Sequence, residues 1–250
     1  MNSQRKSLLG VPVDLWPPDE VISRIEESIH SPIPQTLFAV NPEKIMLSRK
    51  DQDLSLALKQ ADFLIPDGIG VIIGLKLIYG KRMARAGRIA GVALMTSLLD
   101  SANRMKKKIF VFGASPEVNE SVARIIPRQY PDLVLAGHRH GFMAEYPDED
   151  LVQEINSLSV DILFVGLGSP KQEKWIQKNR NRLKVRICMG VGGSFDVLAG
   201  KISRAPRWMQ KAGLEWLYRL VREPGRIRRQ LALPRFAWAL IKEKMAKKHF

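Results

Sequence analysis

The sequence predicts an α/β fold: a Rossmann-like, mostly parallel sheet with helices on both faces, followed by a basic helical appendage. Short apolar runs alternate with segments of helical periodicity as far as residue 190, which is typical of βαβ units. Glycine and polar residues follow these runs directly, where loops leave the carboxyl ends of parallel strands. The alternation stops after Gly200, and the last fifty residues hold 14 of the 40 lysines and arginines but three of the 25 acids.

The elements follow from these patterns in chain order. Pro12 and Asp14 interrupt the first apolar run, which is too short for a signal peptide and predicts an opening strand. Strands are predicted at residues 36–41, 61–66, 108–113, 133–137, 161–166 and 185–190. Helices are predicted at residues 19–30, 42–60, 69–78, 92–105, 116–129, 149–158 and 170–183.

Three further helices, each with a proline near its start, are predicted at residues 206–221, at 224–231 and from Pro234 onward. In the last of them one apolar face is expected, formed by Leu233, Phe236, Ala237, Leu240 and Ile241. We therefore expect an α/β catalytic domain at residues 1–200 and a helical, membrane-associating appendage at 201–250 that contributes to the active site.

Charge and composition indicate where the protein works. The tail carries a net charge of +11 against +4 for the first 200 residues, and it contains Trp208, Trp216 and Trp238. Cations mixed with aromatic and aliphatic residues suit an anionic membrane surface. No stretch approaches 18 uncharged apolar residues, so no spanning helix is expected. The single cysteine, Cys188, excludes an internal disulfide and fits a reducing cytoplasm.

Asp67 is a candidate general base. It follows a predicted strand directly and precedes Gly68, so its carboxylate is expected at the edge of the sheet where ligands bind. An ordinary Asp-Gly turn explains the same pair of residues equally simply.

The segment from Gly166 to Glu173 joins another strand to a helix. Its glycines and the helix N-terminus suit a phosphate, with Lys171 and Gln172 as ligand contacts. The alternative is a capping box between Ser169 and Gln172, with Pro170 at the first helical position.

The glycine-rich segment from Gly190 to Asp196 resembles a dinucleotide loop but reads Gly-x-Gly-x-x-Phe and follows the last strand. This disfavours a dehydrogenase, whose fingerprint has glycine at the sixth position and follows the first strand. The diphosphate of a nucleotide sugar suits the same geometry.

Two acidic triplets and one row of arginines remain. The pair Asp51 with Asp53 lies within a predicted helix, and the pair Asp148 with Asp150 opens one. Neither follows a strand, so both are interpreted as structural and no metal site is expected. Four arginines spaced three, four and three residues apart suit a diphosphate, although a solvated basic face is the alternative. They are Arg219, Arg222, Arg226 and Arg229.

Together these motifs resemble the WecG/TagA/CpsF family of bacterial glycosyltransferases, glycosyltransferase family 26, from about Val40 to Arg229. The resemblance rests on Asn41-Pro-Glu, Ile65 to Gly70, Arg88-Ile-Ala-Gly91, Gly137 to Phe142, Gly168 to Glu173, Gly190 to Asp196, Arg204-Ala-Pro206 and Gly213 to Arg226. The last of these blocks is the most specific.

The resemblance implies an inverting transferase that needs no metal or other cofactor. Such enzymes move a sugar, N-acetylmannosamine or its uronic acid in the best-known members, from a UDP-sugar to a polyprenyl-diphosphate-linked saccharide on the cytoplasmic face of the membrane. By position, Asp67 would be the catalytic base, with Arg88 and Gln172 as active-site residues. Substrate contacts are expected from Asn41, Gly68, Gly113, Lys171, Gly192, Gly193 and Asp196, and from the appendage arginines Arg219, Arg226 and Arg229.

Two departures from the family pattern leave the sugar open. Ala39 stands where the family usually has threonine, and Ala93 stands where it usually has an acid. The alternatives to a transferase are a nucleotide-dependent oxidoreductase and, from a pI near 10.1, a nucleic-acid-binding protein. The apolar content of the tail favours lipid over nucleic acid, and homo-oligomer formation stays open.

Overall fold

A computed structural model describes residues 5–31, 33–80, 87–142, 147–222, 227 and 231–248. Its centre is a six-stranded sheet in which every neighbouring pair is parallel. The strands are β3 (Gln35–Val40), β4 (Phe63–Pro66), β5 (Lys108–Gly113), β6 (Val134–Arg139), β7 (Ile162–Gly166) and β8 (Ile187–Gly190). Their order is β4-β3-β8-β7-β5-β6, which confirms the predicted parallel α/β fold.

Helices cover both faces of this sheet. Alternate residues of β5 enter two different hydrophobic clusters, Phe110 and Phe112 in one, Ile109 and Val111 in the other, because successive strand side chains point to opposite faces. The helices between the strands are Pro18–Ile29, Pro42–Ser48, Gln52–Lys59, Ile69–Tyr79, Gly91–Arg104, Pro116–Gln129, Asp148–Ser157 and Lys171–Asn179. After β8 come Ser194–Leu198, Arg207–Lys211, Glu215–Arg222 and a C-terminal helix, Ala232–Lys248.

Two predicted helices are each divided in the structure. The one predicted at 42–60 breaks at Asp51, whose side chain accepts a hydrogen bond from Leu54 N at 3.1 Å and so caps a new helix. The one predicted at 206–221 breaks before Glu215, where Gly213 has a φ of 74°.

The opening segment is a hairpin instead of the single predicted strand. Its strands, β1 (Arg5–Leu8) and β2 (Val11–Asp14), pair antiparallel, and both turn residues, Leu9 and Gly10, have positive φ, as a tight two-residue turn requires. The buried carboxylate of Asp14 accepts a hydrogen bond from Leu64 N at 2.6 Å. The hairpin therefore covers the edge strand β4, which would otherwise present unpaired backbone groups.

The C-terminal helix packs on the body and joins its core. Phe236 and Leu240 belong to the same buried cluster as Leu8 and Val11, and a β-carbon placed on Gly74 would lie 3.1 Å from the Leu240 side chain. The predicted single apolar face is therefore wrong in part, since Phe236 and Leu240 pack inward while Ala237 and Ile241 are exposed. The exposed hydrophobic side chains of this helix are Trp238, Ile241 and Met245.

Candidate active site

The candidate residues lie along the carboxyl edge of the sheet. Asp67 follows β4, Asn41 follows β3, Gly192 follows β8, Lys171 follows β7 and Gly113 ends β5. The strand order places them in this sequence across the edge, where ligands of open α/β sheets bind. Asp67 and Gly113 are four strand spacings apart, about 19 Å, so the two would serve different parts of an extended ligand.

Small residues lie beside the side chain of Asp67. Its backbone N–H donates to Val40 O at 2.7 Å, and its half-buried carboxylate accepts from Gly91 N at 3.4 Å. A β-carbon on Gly91 would lie 3.7 Å from an Asp67 oxygen and 3.5 Å from Ala39 Cβ. Gly68, with a φ of 90°, turns the chain away after Asp67. The carboxylate therefore lies at the strand end, where residues 39 and 91 place no bulky side chain beside it.

Arg88 connects the strand end at Asp67 to the helices that follow residue 206. Its guanidinium forms an ion pair with Glu215 at 2.9 Å and donates to Gln210 O at 3.3 Å. Both charged side chains are largely buried, and the neighbouring Ile89 N donates to Pro66 O at 3.2 Å. Arg88 thus lies close to Asp67, but its described contacts are with the tail. Sequence reasoning missed Glu215, although it stands in the block most specific to the resembled family.

Gln172 is buried and both ends of its amide are bonded. Oε1 accepts from Gly192 N at 2.8 Å, and Nε2 donates to Glu173 Oε1 at 2.9 Å. The capping box proposed between Ser169 and Gln172 is wrong, because the helix begins at Lys171 after Pro170 and has no side-chain cap. Gly190 leaves room for the Gln172 amide, since a β-carbon at position 190 would lie 2.8 Å from the amide nitrogen. Gln172 therefore joins the connections after β7 and β8.

A buried ion pair extends this junction to a third connection. Lys44 Nζ lies 2.7 Å from Glu173 Oε1, with side-chain exposures of 8% and 0%, and it also donates to Ala39 O at 2.6 Å. Burial alone would raise the pKa of Glu173, but the charge and hydrogen bond of Lys44, together with the hydrogen bond from Gln172, lower the pKa below its ordinary value. We call Lys44, Glu173, Gln172 and Gly192 the strand-end network.

Amino-acid composition does not indicate the strand-end network. Lysine and glutamate are ordinary solvent-facing residues of helices. The network could have been predicted from the positions of Lys44 and Glu173 in the chain. Both residues lie in the first turns of helices that start at the carboxyl edge of the sheet.

The remaining predicted contacts are placed as follows. Asn41 caps its helix by accepting from Lys44 N at 2.8 Å, and Lys171 is exposed at the first turn of its helix. Gly113 has a φ of 120°, and a β-carbon there would lie 2.5 Å from the Gly166 backbone, so close strand packing already requires glycine. Gly193 precedes the short helix Ser194–Leu198, which contains the half-buried Asp196.

The appendage arginines cannot be placed. Arg226, Arg229 and the side chain of Arg219 lie outside the described residues. Their expected contact with a diphosphate therefore stays a prediction.

The acidic triplets have local partners. Asp51 caps a helix, and Lys174 Nζ lies 2.8 Å from Asp51 and 3.4 Å from Asp53. Asp148 accepts from the Trp175 indole at 2.8 Å and from Lys178 at 2.6 Å. Across the described ranges, no three His, Cys, Asp or Glu side chains come together in a group that could hold a metal ion. None of the helices in the described part is both long and apolar enough to cross a bilayer.

The chain is similar in sequence to known glycosyltransferases. A family model described as the glycosyl transferase WecG/TagA/CpsF family matches residues 6–250. The chain is 38% identical over 223 residues, 89% of its length and 85% of the relative, to an N-acetylglucosaminyldiphosphoundecaprenol N-acetyl-beta-D-mannosaminyltransferase of Bacillus subtilis. It is 33% identical over 245 residues, 97% of its length and 94% of the relative, to a Staphylococcus aureus protein of the same name.

Proposed function

The chain belongs to the WecG/TagA/CpsF family of glycosyltransferases, and from this premise we propose that it transfers N-acetylmannosamine from a UDP-sugar to a polyprenyl-diphosphate-linked N-acetylglucosamine. The activity for which the relatives are named supports both the sugar and the acceptor. The single observation in the structure that carries the proposal is the carboxylate of Asp67, fixed at the strand end beside Gly91 and Ala39.

Asp67 would act as the general base. In an inverting transfer, one group removes the proton from the acceptor hydroxyl as that oxygen attacks the anomeric carbon, and the bond to UDP breaks on the opposite side. A half-buried carboxylate at the sheet edge can accept this proton, and Gly91 N holds one of its oxygens in place at 3.4 Å.

The departing UDP carries growing negative charge that must be stabilised. The exposed Lys171 and the N-terminus of its helix are described groups of suitable sign at this edge of the sheet. We propose that Arg219, Arg226 and Arg229 supply the remaining positive charge when the appendage closes over the diphosphate. Gly192 and Gly193, held by the strand-end network, would allow the backbone to approach the nucleotide.

The small residues beside Asp67 support an uncharged sugar. Ala39 and Gly91 contribute only a methyl group and hydrogen beside Asp67, so these two positions offer no cation to a uronic acid carboxylate. N-acetylmannosamine or a related neutral hexose therefore fits these two positions better than the uronic acid.

The acceptor is a membrane lipid in this proposal, so the protein would bind the cytoplasmic face of the membrane peripherally. The tail charge of +11 supports this location, and so do exposed aromatic and aliphatic side chains near the tail helices. The exposed hydrophobic tail residues are Trp208, Trp216, Leu217, Val221, Ile227, Leu231, Trp238, Ile241 and Met245.

The deciding experiment measures UDP release from a panel of UDP-sugars. The panel contains UDP-N-acetylmannosamine, its uronic acid, UDP-N-acetylglucosamine and UDP-glucose, each with and without a short-chain polyprenyl-diphosphate N-acetylglucosamine. We expect release with UDP-N-acetylmannosamine that depends on the acceptor, and mass spectrometry should show one added N-acetylhexosamine. Equal release with and without acceptor would contradict the proposed transfer, and preference for another donor would contradict the proposed sugar.

A further inference from the structure

A basic groove lies between the body and the C-terminal helix. It has a volume of about 990 Å³ and contains none of the candidate active-site residues. Its sides come from the hairpin turn, from the helices Pro42–Ser48 and Gln52–Lys59 with the turn between them, and from the C-terminal helix. We call it the basic groove.

The charges around the basic groove are unbalanced. Five cations line it, and the single acid of the lining, Glu243, accepts a hydrogen bond from Leu9 N at 3.1 Å. In the part of the chain that the structure describes, none of the five cations pairs with a carboxylate. The five are Arg49, Lys50, Lys59, Arg235 and Lys242.

These cations converge from separate elements. Arg49 and Lys50 form the turn between two helices, Lys59 ends the second of those helices, and Arg235 and Lys242 lie two turns apart on the C-terminal helix. Like charges held together in this way repel each other unless an anion lies between them. The groove is therefore complementary to a phosphate group.

The groove also has an apolar side. Met46, Val11 and Ala239 line it beside the cations, and Trp238 is 59% exposed with Lys242 Nζ 5.4 Å from its ring centre. The exposed stripe of Trp238, Ile241 and Met245 continues along the same helix. A ligand that carries phosphate next to hydrocarbon matches this combination, and a free nucleotide or nucleic acid does not.

We propose that the basic groove binds the phosphate-bearing headgroup of an anionic membrane phospholipid. The site is independent of the transfer reaction and includes three cations of the α/β body, so membrane attachment is not confined to the tail. The headgroup lies between the helix end at Lys59 and the C-terminal helix, while Trp238, Ile241 and Met245 contact the acyl region.

The test compares two triple variants of the full chain. The groove variant is Arg49→Gln/Lys50→Gln/Lys59→Gln. The control, Arg124→Gln/Arg128→Gln/Lys184→Gln, removes the same charge from exposed positions that do not line the groove. Two of the three control positions lie on the helix Pro116–Gln129, which packs against the other face of the sheet. Sedimentation with phosphatidylcholine vesicles, with and without phosphatidylglycerol, measures binding.

We expect the groove variant to bind phosphatidylglycerol vesicles about a hundredfold more weakly, because each cation near an anionic surface contributes about 1 kcal/mol. The control should lose less than about threefold, since its charges lie farther from the surface than the screening length. Equal losses in both variants would show that vesicle binding depends on diffuse electrostatic attraction and not on the groove. Unchanged binding of the groove variant would overturn the proposal outright.

A second measurement separates lipid from free phosphate. Inorganic phosphate and glycerol phosphate, added at millimolar concentration, should not displace the wild type from the vesicles. Displacement by either would show that the groove takes a soluble phosphate and not a lipid. Turnover of the groove variant with the short-chain acceptor should match that of the wild type. This result distinguishes a failure of the groove from a failure of the proposed transfer reaction.

Discussion

The side-chain oxygen of Gln172 accepts a hydrogen bond from the backbone N–H of Gly192 at 2.8 Å. This bond joins the loop after β8 to the helix after β7, and the other end of the amide is bonded to Glu173. Gln172 is 2% exposed, so within the described contacts it positions the glycine loop instead of facing open solvent. The family resemblance implies that Gln172 belongs to the active site, and this geometry predicts that it would act there by positioning the loop of Gly192.

Gln172→Ala should lower kcat/KM for the UDP-sugar about ten- to a hundredfold, because the loss of a buried hydrogen bond costs about 1–3 kcal/mol. The effect should fall on the donor KM more than on folding. Gln177→Ala is the control, since that residue lies on the same helix and bonds to Gln60 outside the site. An equal loss of kcat/KM in both variants would show that the cause is a general disturbance of the helix and not the lost hydrogen bond to Gly192.

Asp67→Asn should lower transfer by about a hundredfold or more, the usual effect of losing a general base. UDP binding, measured by calorimetry, should stay close to the wild-type value because the amide keeps the shape of the carboxylate. Asp53→Asn, at a side chain that is 80% exposed, is the matched control. Turnover of Asp67→Asn near that of the control would exclude Asp67 as the base.

Glu215→Gln should lower turnover nearly as much as Arg88→Gln. Each change breaks the same 2.9 Å ion pair, which joins Arg88 of the α/β body to Glu215 of the tail. The double variant should be no slower than Arg88→Gln alone, as expected for two residues that act as a unit. If Arg88→Gln is severely impaired while Glu215→Gln is normal, then Arg88 acts on the substrate directly and its contact with the tail is incidental.

The Lys44–Glu173 pair should control stability. Lys44→Met and Glu173→Gln should each lower the free energy of unfolding by about 3–5 kcal/mol, since each leaves one buried charge without its partner. The double variant should be more stable than either single one. Urea denaturation of the four proteins measures this, and additive losses in the double variant would contradict the coupling.

The same pair predicts a pH dependence. The folded-state pKa of Glu173 lies below its ordinary value of 4.5, so the ionised carboxylate stabilises the wild type above that pH. This contribution is lost as the pH falls through the lowered pKa. The advantage of the wild type over Glu173→Gln should therefore be constant near neutral pH and shrink in acid.

Transfer should continue in excess EDTA, within about twofold of the untreated rate. The proposed stabilisation of UDP uses arginines, Lys171 and helix N-termini, whereas loss of a catalytic metal would cost several kcal/mol. A metal-dependent transferase in the same buffer shows that chelation is complete. Activity that disappears and returns with Mg²⁺ or Mn²⁺ would mean that a cation holds the diphosphate.

The sheet was predictable because its signal is local. Strand β5 was predicted at residues 108–113 and occupies Lys108–Gly113, since an apolar run bounded by lysines and glycine defines a buried strand by itself. The position of Asp67 followed from the same logic, because the residue after a parallel strand lies at the ligand-binding edge.

The features that were missed depend on distant parts of the chain. The Lys44–Glu173 pair joins residues far apart in sequence whose side chains are individually common on surfaces. The break at Asp51 was hidden because continuous apolar periodicity outweighed a single capping residue. Residues 233–241 show two apolar directions, and the one that packs inward is set by distant residues such as Gly74 and Leu8, which Leu240 adjoins.

Leu240 and Leu8 pack on either side of Gly74, which joins residues that are more than 200 positions apart in the sequence. At ordinary translation rates, the hairpin is synthesised roughly 10 to 50 s before the helix that covers it. During that interval the nascent chain exposes an apolar surface that a chaperone can bind. A chain that stopped before Ala232 would lack Phe236 and Leu240 and would leave this part of the core open, whichever catalytic residues it already contained.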